Sequence, residues 1–286
     1  MRWTPGSGRN IDDERGRRTL GVGAVPLGLG GVVLLAVLSL ATGVNFFSLL
    51  DGGSPPSSAA VDSGSRPATS SPAEDREVRF VDAVAEDVQD TWAQLIGTRY
   101  ERTKVVLFRD AIDSACGFAQ SATGPFYCPE DQRVYLDLGF FDELRQRFSA
   151  PGEFAEAYVL AHEFGHHVQS LTGLERQVRA AEQRNPSQAN EISVRVELQA
   201  DCYAGVWGHA ASQPGRNAQG KVELEPGDME DALRAAAAIG DDRLQRMATG
   251  RVMPDRFTHG TSEQRVDWFR RGFQSGDPSV CNAFHE

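Results

Sequence analysis

Two histidines stand four residues apart in Ala161-His-Glu-Phe-Gly-His-His167, with a glutamate directly after the first of them. The surrounding residues read as a helix, since Phe154, Ala157, Tyr158, Ala161, Phe164 and Val168 recur at helical spacing and Gly173 supplies a stop. Positions i and i+4 of a helix lie one turn apart on the same side, so His162 and His166 offer two imidazole nitrogens to one ion. Glu163 is rotated by about 100° from His162. That offset keeps its carboxylate beside the ion, where it serves as a base toward water and not as a ligand. His167 points away from the His162 to His166 line and reads as a polar contact.

Zinc in a catalytic site keeps three protein ligands and one open position. Between Val168 and Leu174 there is no further histidine, so the third ligand has to come from another element. The strongest candidate is Glu197, in Val196-Glu-Leu-Gln-Ala-Asp-Cys202 on a second long helix. Asp201 follows it by one turn on the same face, placed to accept a hydrogen bond from a ligand imidazole. His259, in the loop Thr258-His-Gly-Thr before the last helix, is the other candidate near the ion. As a cation or donor it suits the oxyanion of a tetrahedral intermediate, with loop capping as its structural alternative. The Tyr127 hydroxyl is a second candidate for that oxyanion.

The elements that must position these groups divide by type along the chain. Thr103–Phe108 and Arg133–Leu138 are rich in β-branched and aromatic residues, and the turn-rich segment from Cys116 to Cys128 lies between them. Afterwards the pattern turns helical: 140–148, 153–171, 189–209, 228–239 and 261–273, the last with Thr261 and Gln264 at capping-box spacing. Strands followed by helices predict an α+β domain, mainly helical, packed on a small antiparallel sheet. It should open with an amphipathic helix near Glu77, where Val78, Val81, Val84, Val88, Trp92 and Leu95 share a face.

The 286 residues include 40 acidic and 29 basic side chains, a net charge of −11. A general nucleic-acid grip is excluded, because such a surface must be basic and the only basic cluster is at the extreme N-terminus. Leu20 to Leu50 carries no charge at all, whereas a bilayer-spanning helix needs about 20 apolar residues. Five arginines (2, 9, 15, 17 and 18) precede this stretch and no Lys or Arg follows it until Arg66, so the positive-inside rule puts the N-terminus in the cytoplasm and the rest outside. A signal peptide cleaved after Ala41 is the competing reading. The organisation expected is a basic cytoplasmic N-terminus (1–19), a transmembrane anchor (20–50), a disordered Ser/Pro/Gly tether (51–75) and one folded domain (76–286). Four cysteines in an exported domain read as two disulfides, with Cys116–Cys128 and Cys202–Cys281 favoured among three connectivities.

Taken together, the HEFGHH helix, the VELQADCYAGVW helix, the GPFYCPEDQRVYLDL segment and the THGTSEQR terminus resemble the bacterial neutral zinc metallopeptidase family. The likeness extends to the Met1-Arg-Trp opening and covers nearly the whole chain except the tether. It implies a gluzincin-like domain with one zinc at the positions of His162, His166 and Glu197, and Glu163 as the catalytic residue. The function expected is a membrane-anchored endopeptidase that hydrolyses peptide or protein substrates with a zinc-activated water and a glutamate base. A non-catalytic zinc-stabilised scaffold of the cell envelope is the alternative from another class, and a cell-wall peptide amidase the alternative in substrate. Glu163 favours catalysis over a scaffold, because a purely structural site would have no use for it.

Overall fold

The computed structural model describes residues 1–16, 71–121, 124–146 and 152–284. Helix α1 (Pro72–Ile96) starts five residues before the expected Glu77, because the Ser71 hydroxyl accepts the Glu74 N–H and Pro72 occupies the first turn. Strand β2 (Val105–Phe108) follows, then a hairpin of β3 (Ala111–Ser114) and β4 (Gly117–Gln120), then β5 (Phe126–Cys128) and β6 (Arg133–Asp137). The helical half comprises α2 (Gly139–Gln146), α3 (Glu153–Thr172), α4 (Leu174–Arg184), α5 (Ala189–Ala211), α6 (Asp228–Ala238), α7 (Asp241–Thr249) and α8 (Ser262–Ser275). Thr261 and Gln264 form the capping box that opens α8. The helices α4 and α7 lie outside the expected set. Helix α4 is largely polar, with no buried residue among those whose burial is described, and its apolar stripe is only Leu174, Val178 and Ala181, too short to mark it in sequence.

Mainly helical α+β architecture is what the structure has, but its sheet is mixed where an antiparallel one was expected. A short strand β1 (Ile11–Asp13) runs parallel to β2, β2 runs parallel to β6, and only β5 pairs antiparallel with β6. The 24 residues between β2 and β6 are long enough for the crossover a parallel pair requires. Strand β5 turns directly into β6, which dictates its opposite sense. The Cys116–Cys128 and Cys202–Cys281 disulfides are both formed, with Cα atoms 5.8 and 5.5 Å apart.

Strand β1 corrects the expected domain boundary at residue 76. Residues 1–16 are folded into the same unit as the helices and sheet. Arg2 pairs by backbone with Glu223, the Trp3 ring meets Phe80 edge-on at 5.5 Å, and Asn10 and Asp82 are buried against each other. No helix among the described residues is long and apolar enough to cross a membrane. The 20–50 stretch expected as an anchor, and the tether up to residue 70, lie outside the described residues.

Helices α5 and α8 cross in backbone contact through two glycines. A Cβ on Gly205 would sit 2.1 Å from the Phe269 carbonyl oxygen, and one on Gly272 would sit 1.9 Å from that of Cys202. No side chain can move aside to relieve either clash. Gly272→Ala should therefore lower stability by about 1–3 kcal/mol or more through overpacking. Thermal unfolding beside Gly16→Ala, where a Cβ meets open space, measures this; equal melting temperatures would refute the close crossing.

Candidate metal centre

Helix α3 carries His162, Glu163 and His166, and α5 carries Glu197 and Asp201. Gly165 is what lets the two helices approach, since its missing Cβ would lie 3.0 Å from the Ala200 carbonyl oxygen and 3.1 Å from the Ala200 Cα. Across this contact one donor atom from each of His162, His166 and Glu197 lies within 4.8 Å of the other two. Glu197 Oε2 is 3.1 Å from His162 Nε2, and Oε1 is 3.6 Å from His166 Nε2. The three residues nominated from separate helices therefore converge on one point.

Each imidazole turns its Nε2 toward that point and gives its Nδ1 to a buried support. His162 Nδ1 lies 2.9 Å from Asp201 Oδ1, and His166 Nδ1 lies 2.9 Å from Gln169 Oε1. Gln169 is itself fixed, donating to the Val196 carbonyl at 2.8 Å and to Gln199 Oε1 at 3.0 Å. Asp201 is wholly buried and receives Arg265 Nε on one oxygen and Arg265 Nη2 on the other, both at 2.9 Å, as well as the Tyr158 hydroxyl. Burial pushes the Asp201 carboxyl up, but Arg265 and then His162 hold it below its ordinary value. Because Arg265 already satisfies its charge, Asp201 stays an acceptor and keeps the His162 proton on Nδ1. Nε2 is then the nitrogen from which a metal cation would displace a proton.

The donor set is one that attracts positive charge. Burial alone would lower His162, yet Asp201 and Glu197 push it up to about 10. His166 is raised against its own burial by Glu197, and Glu197 is held well below the carboxylate range by His166 and His162 in spite of its burial. Two neutralisable imidazoles and one ionised carboxylate match the ligand types of catalytic zinc.

Glu163 is buried at 7% exposure, and its carboxylate has no hydrogen-bond partner among the described residues. It lines a cleft of about 550 Å³ together with His162, His166 and Glu197. Phe126, Phe140, Ile239 and Leu244 give that cleft apolar walls, with β5 on one side and the His259 loop on another. Strand β5 is an end strand of its sheet, and Phe126 and Tyr127 are only partly buried.

His259 lies at the cleft and is held there by Asp241. One carboxylate oxygen of Asp241 accepts the N–H groups of Thr258, His259 and Gly260 at 2.7, 2.6 and 3.1 Å. The other stands 3.5 Å from His259 Nδ1. That contact with Asp241 raises the imidazole above its ordinary value, against burial. Loop capping is thus the work of Asp241, and the His259 ring, half exposed, is left facing the cleft.

Tyr127 fits its expected role less well. His167 is fully buried with Nε2 2.7 Å from the Glu101 carbonyl, an atom that only accepts, so Nε2 carries the proton and Nδ1 accepts. The Tyr127 hydroxyl, 3.1 Å from Nδ1, therefore donates to His167 and not to the cleft. Burial lowers the His167 pKa, in keeping with a neutral ring. His167 is the polar contact its helix position indicates.

Arg265, Tyr158, Gln169 and Asp241 were missed from the sequence. A signal existed for Arg265: it shares the buried face of α8 with Trp268, Phe269 and Gly272, and an arginine in an apolar stripe demands a buried acid. Gln169 and Asp241 sit among polar neighbours and carry no such signal.

These features define a candidate metal centre, and the chain belongs to the family described as "Putative neutral zinc metallopeptidase", whose model matches residues 1–284. It is 46% identical over 300 aligned positions to the uncharacterized protein YpfJ of Escherichia coli K12, covering 99% of each chain. It is also 46% identical over 206 positions to the uncharacterized protein Rv2575 of Mycobacterium tuberculosis H37Rv, covering 71% of this chain and 69% of that one. No solved structure matches.

Asp201→Asn should weaken zinc affinity by about 10–100-fold, since removing a group that orients a ligand histidine typically costs that much. Competition with a chromophoric chelator measures it. An unchanged affinity would show that Asp201 supports the fold alone.

Proposed function

We propose that this protein is a zinc-dependent endopeptidase in which Glu163 is the general base and His259 stabilises developing negative charge. The observation that carries the proposal is the Glu163 carboxylate, lying in an open cleft beside three convergent donors and without a hydrogen-bond partner among the described residues. A scaffold site has no need for an unpaired carboxylate facing a cleft beside the three donors.

Zinc held by His162, His166 and Glu197 would supply Lewis acidity toward water and toward the scissile carbonyl. Glu163 takes the proton of the attacking water and passes it to the leaving amine. His259, as imidazolium, faces the carbonyl oxygen as charge builds there, and Asp241 keeps it charged and in place. An extended peptide adds to the outer edge of β5, placing side chains against Phe126 and the apolar walls. The substrate favoured is thus an unfolded or extended polypeptide with an apolar residue near the cut. The two disulfides support an oxidising compartment as its place of work.

The test pairs metal analysis with cleavage of casein or a peptide library by the full chain. Glu163→Gln should retain one zinc per chain and lose cleavage by at least 10³-fold, and equal cleavage by both proteins would remove Glu163 as the base. The pH profile tests His259. Its raised pKa keeps the cation present above the ordinary pH 6.5, so its contribution is complete at low pH and is lost as pH rises through the folded value. His259→Gln should lower kcat by about 10²-fold and abolish that alkaline limb. A variant that keeps the limb assigns it to another group.

A further inference from the structure

The cleft at the candidate metal centre does not end at Pro129. Pro129, Gln169 and Val196, which line it, also line a second cavity of about 170 Å³ that reaches Leu174, Val178 and Arg179. Leu174 and Val178 in turn line a third, of about 320 Å³, which continues between α4 and α5 past Ile192 and Arg195 to Arg184 and Phe284. Each cavity shares walls with the next, so they form one groove that starts at the three donors and runs the length of α4.

Beyond Pro129 the groove is apolar surface without a use inside the fold. Leu174, Val178, Ile192 and Val196 are only partly buried, and none is part of either apolar cluster formed among the described residues. Helix α4 thus turns its apolar side chains to the groove and not to the core. Such a stripe gains nothing until something apolar covers it.

The occupant follows from continuity and charge. Strand β5 borders the cleft and ends at Cys128, so a chain paired along its edge continues past Pro129 into the groove. From Leu174 to Ala181 a helix rises about 10 Å, which an extended chain covers in about three residues. Arg179, Arg184 and Arg195 stand along this stretch against Glu191 alone among the described residues that line it. Arg195 is paired with Glu191 at 2.8 Å and Arg179 with Glu130 at 3.4 Å. Arg184 stands exposed at the far end, with its Nε on the Ala180 carbonyl at 3.0 Å. An acidic side chain arriving there meets a cation.

Resting on the peptidase reading above, we propose that this groove is a distal subsite for the substrate polypeptide. About three residues beyond the cleft lie along α4, with apolar side chains on Leu174, Val178 and Ile192 and an acidic one at Arg184. Long extended chains are then selected over short peptides by contacts remote from the scissile bond. Helix α4, little buried and polar on its outer face, serves as a wall for substrate.

The test reads binding apart from cleavage. One probe is a short fluorescein-labelled peptide of Ala and Phe that fills the cleft; two others add Leu-Leu-Asp to its C-terminus or Asp-Leu-Leu to its N-terminus. Affinities for the full zinc-loaded Glu163→Gln chain are measured by fluorescence anisotropy. One extended peptide should bind about tenfold or more tightly than the short one, the gain expected from covering two leucine side chains after ordering costs. Added to that chain, Val178→Asp should remove the gain and Arg184→Glu should reduce it by about threefold or more, with the short peptide's affinity unchanged. Arg184 is exposed, so its variant decides the matter even where Val178→Asp does not fold. Equal affinity of short and extended peptides, or a gain that a folded variant leaves intact, overturns the proposal. Cleavage of the short peptide by the unsubstituted chain reports on the peptidase reading separately: its absence beside an intact gain overturns that reading and still supports the groove.

Discussion

The buried ion pair of Asp201 and Arg265 is the interaction on which the arrangement of the helical half depends. It joins three helices at one point: Arg265 from α8, Asp201 from α5, and Tyr158 and His162 from α3. An isolated charge in such a place would cost several kcal/mol, and removing either partner would leave the other stranded. With both present, charge is balanced and the hydrogen-bonding capacity of Asp201 is used in full. The pair contributes geometry more than stability, because it allows one orientation of His162 and one tautomer.

Small residues complete what the ion pair specifies. Gly165 brings α5 onto α3, and Gly205 with Gly272 brings α8 onto α5, each through contact with backbone. The Cys202–Cys281 bridge fastens the chain end next to Asp201, and Gln199 reaches the Cys281 carbonyl at 2.7 Å. Interhelical distances so short leave little slack for the ligands. That tolerance matters, since a metal centre works only when its donors are held to within about 0.5 Å.

What was legible in the sequence follows from how local each signal is. His162, Glu163 and His166 could be placed because one helix repeat sets their geometry, and the long apolar helices because their stripes repeat over several turns. Glu197 and Asp201 could be chosen since their spacing repeats the same rule on a second helix. Tyr127 was read for its hydroxyl alone, and only the tertiary partner, His167, decides where that proton goes. The sheet was misjudged in sense because strand direction depends on crossover length, to which alternation is blind. Strand β1 escaped notice altogether: three residues of Ile-Asp-Asp hold no pattern, and the apolar stretch beyond them drew the boundary in the wrong place. Helix α4 and the Asp241 anchor share that failing, being polar segments whose role lies in what they touch.

The misplaced strand bears on the chemistry. A four-stranded sheet has two edges, and an open edge invites any extended chain. Here β1 occupies the outer side of β2, with Asp12 paired to Lys104 and Arg133 as a charged border. The other end, β5, is the strand that lines the cleft beside Glu163 and the three donors. Docking of the N-terminus thus makes a three-residue strand with a charged border the edge remote from the cleft, and β5 is the edge beside it. In the function proposed above, where an extended polypeptide pairs with β5, residues 11–13 form the opposite border of the same sheet.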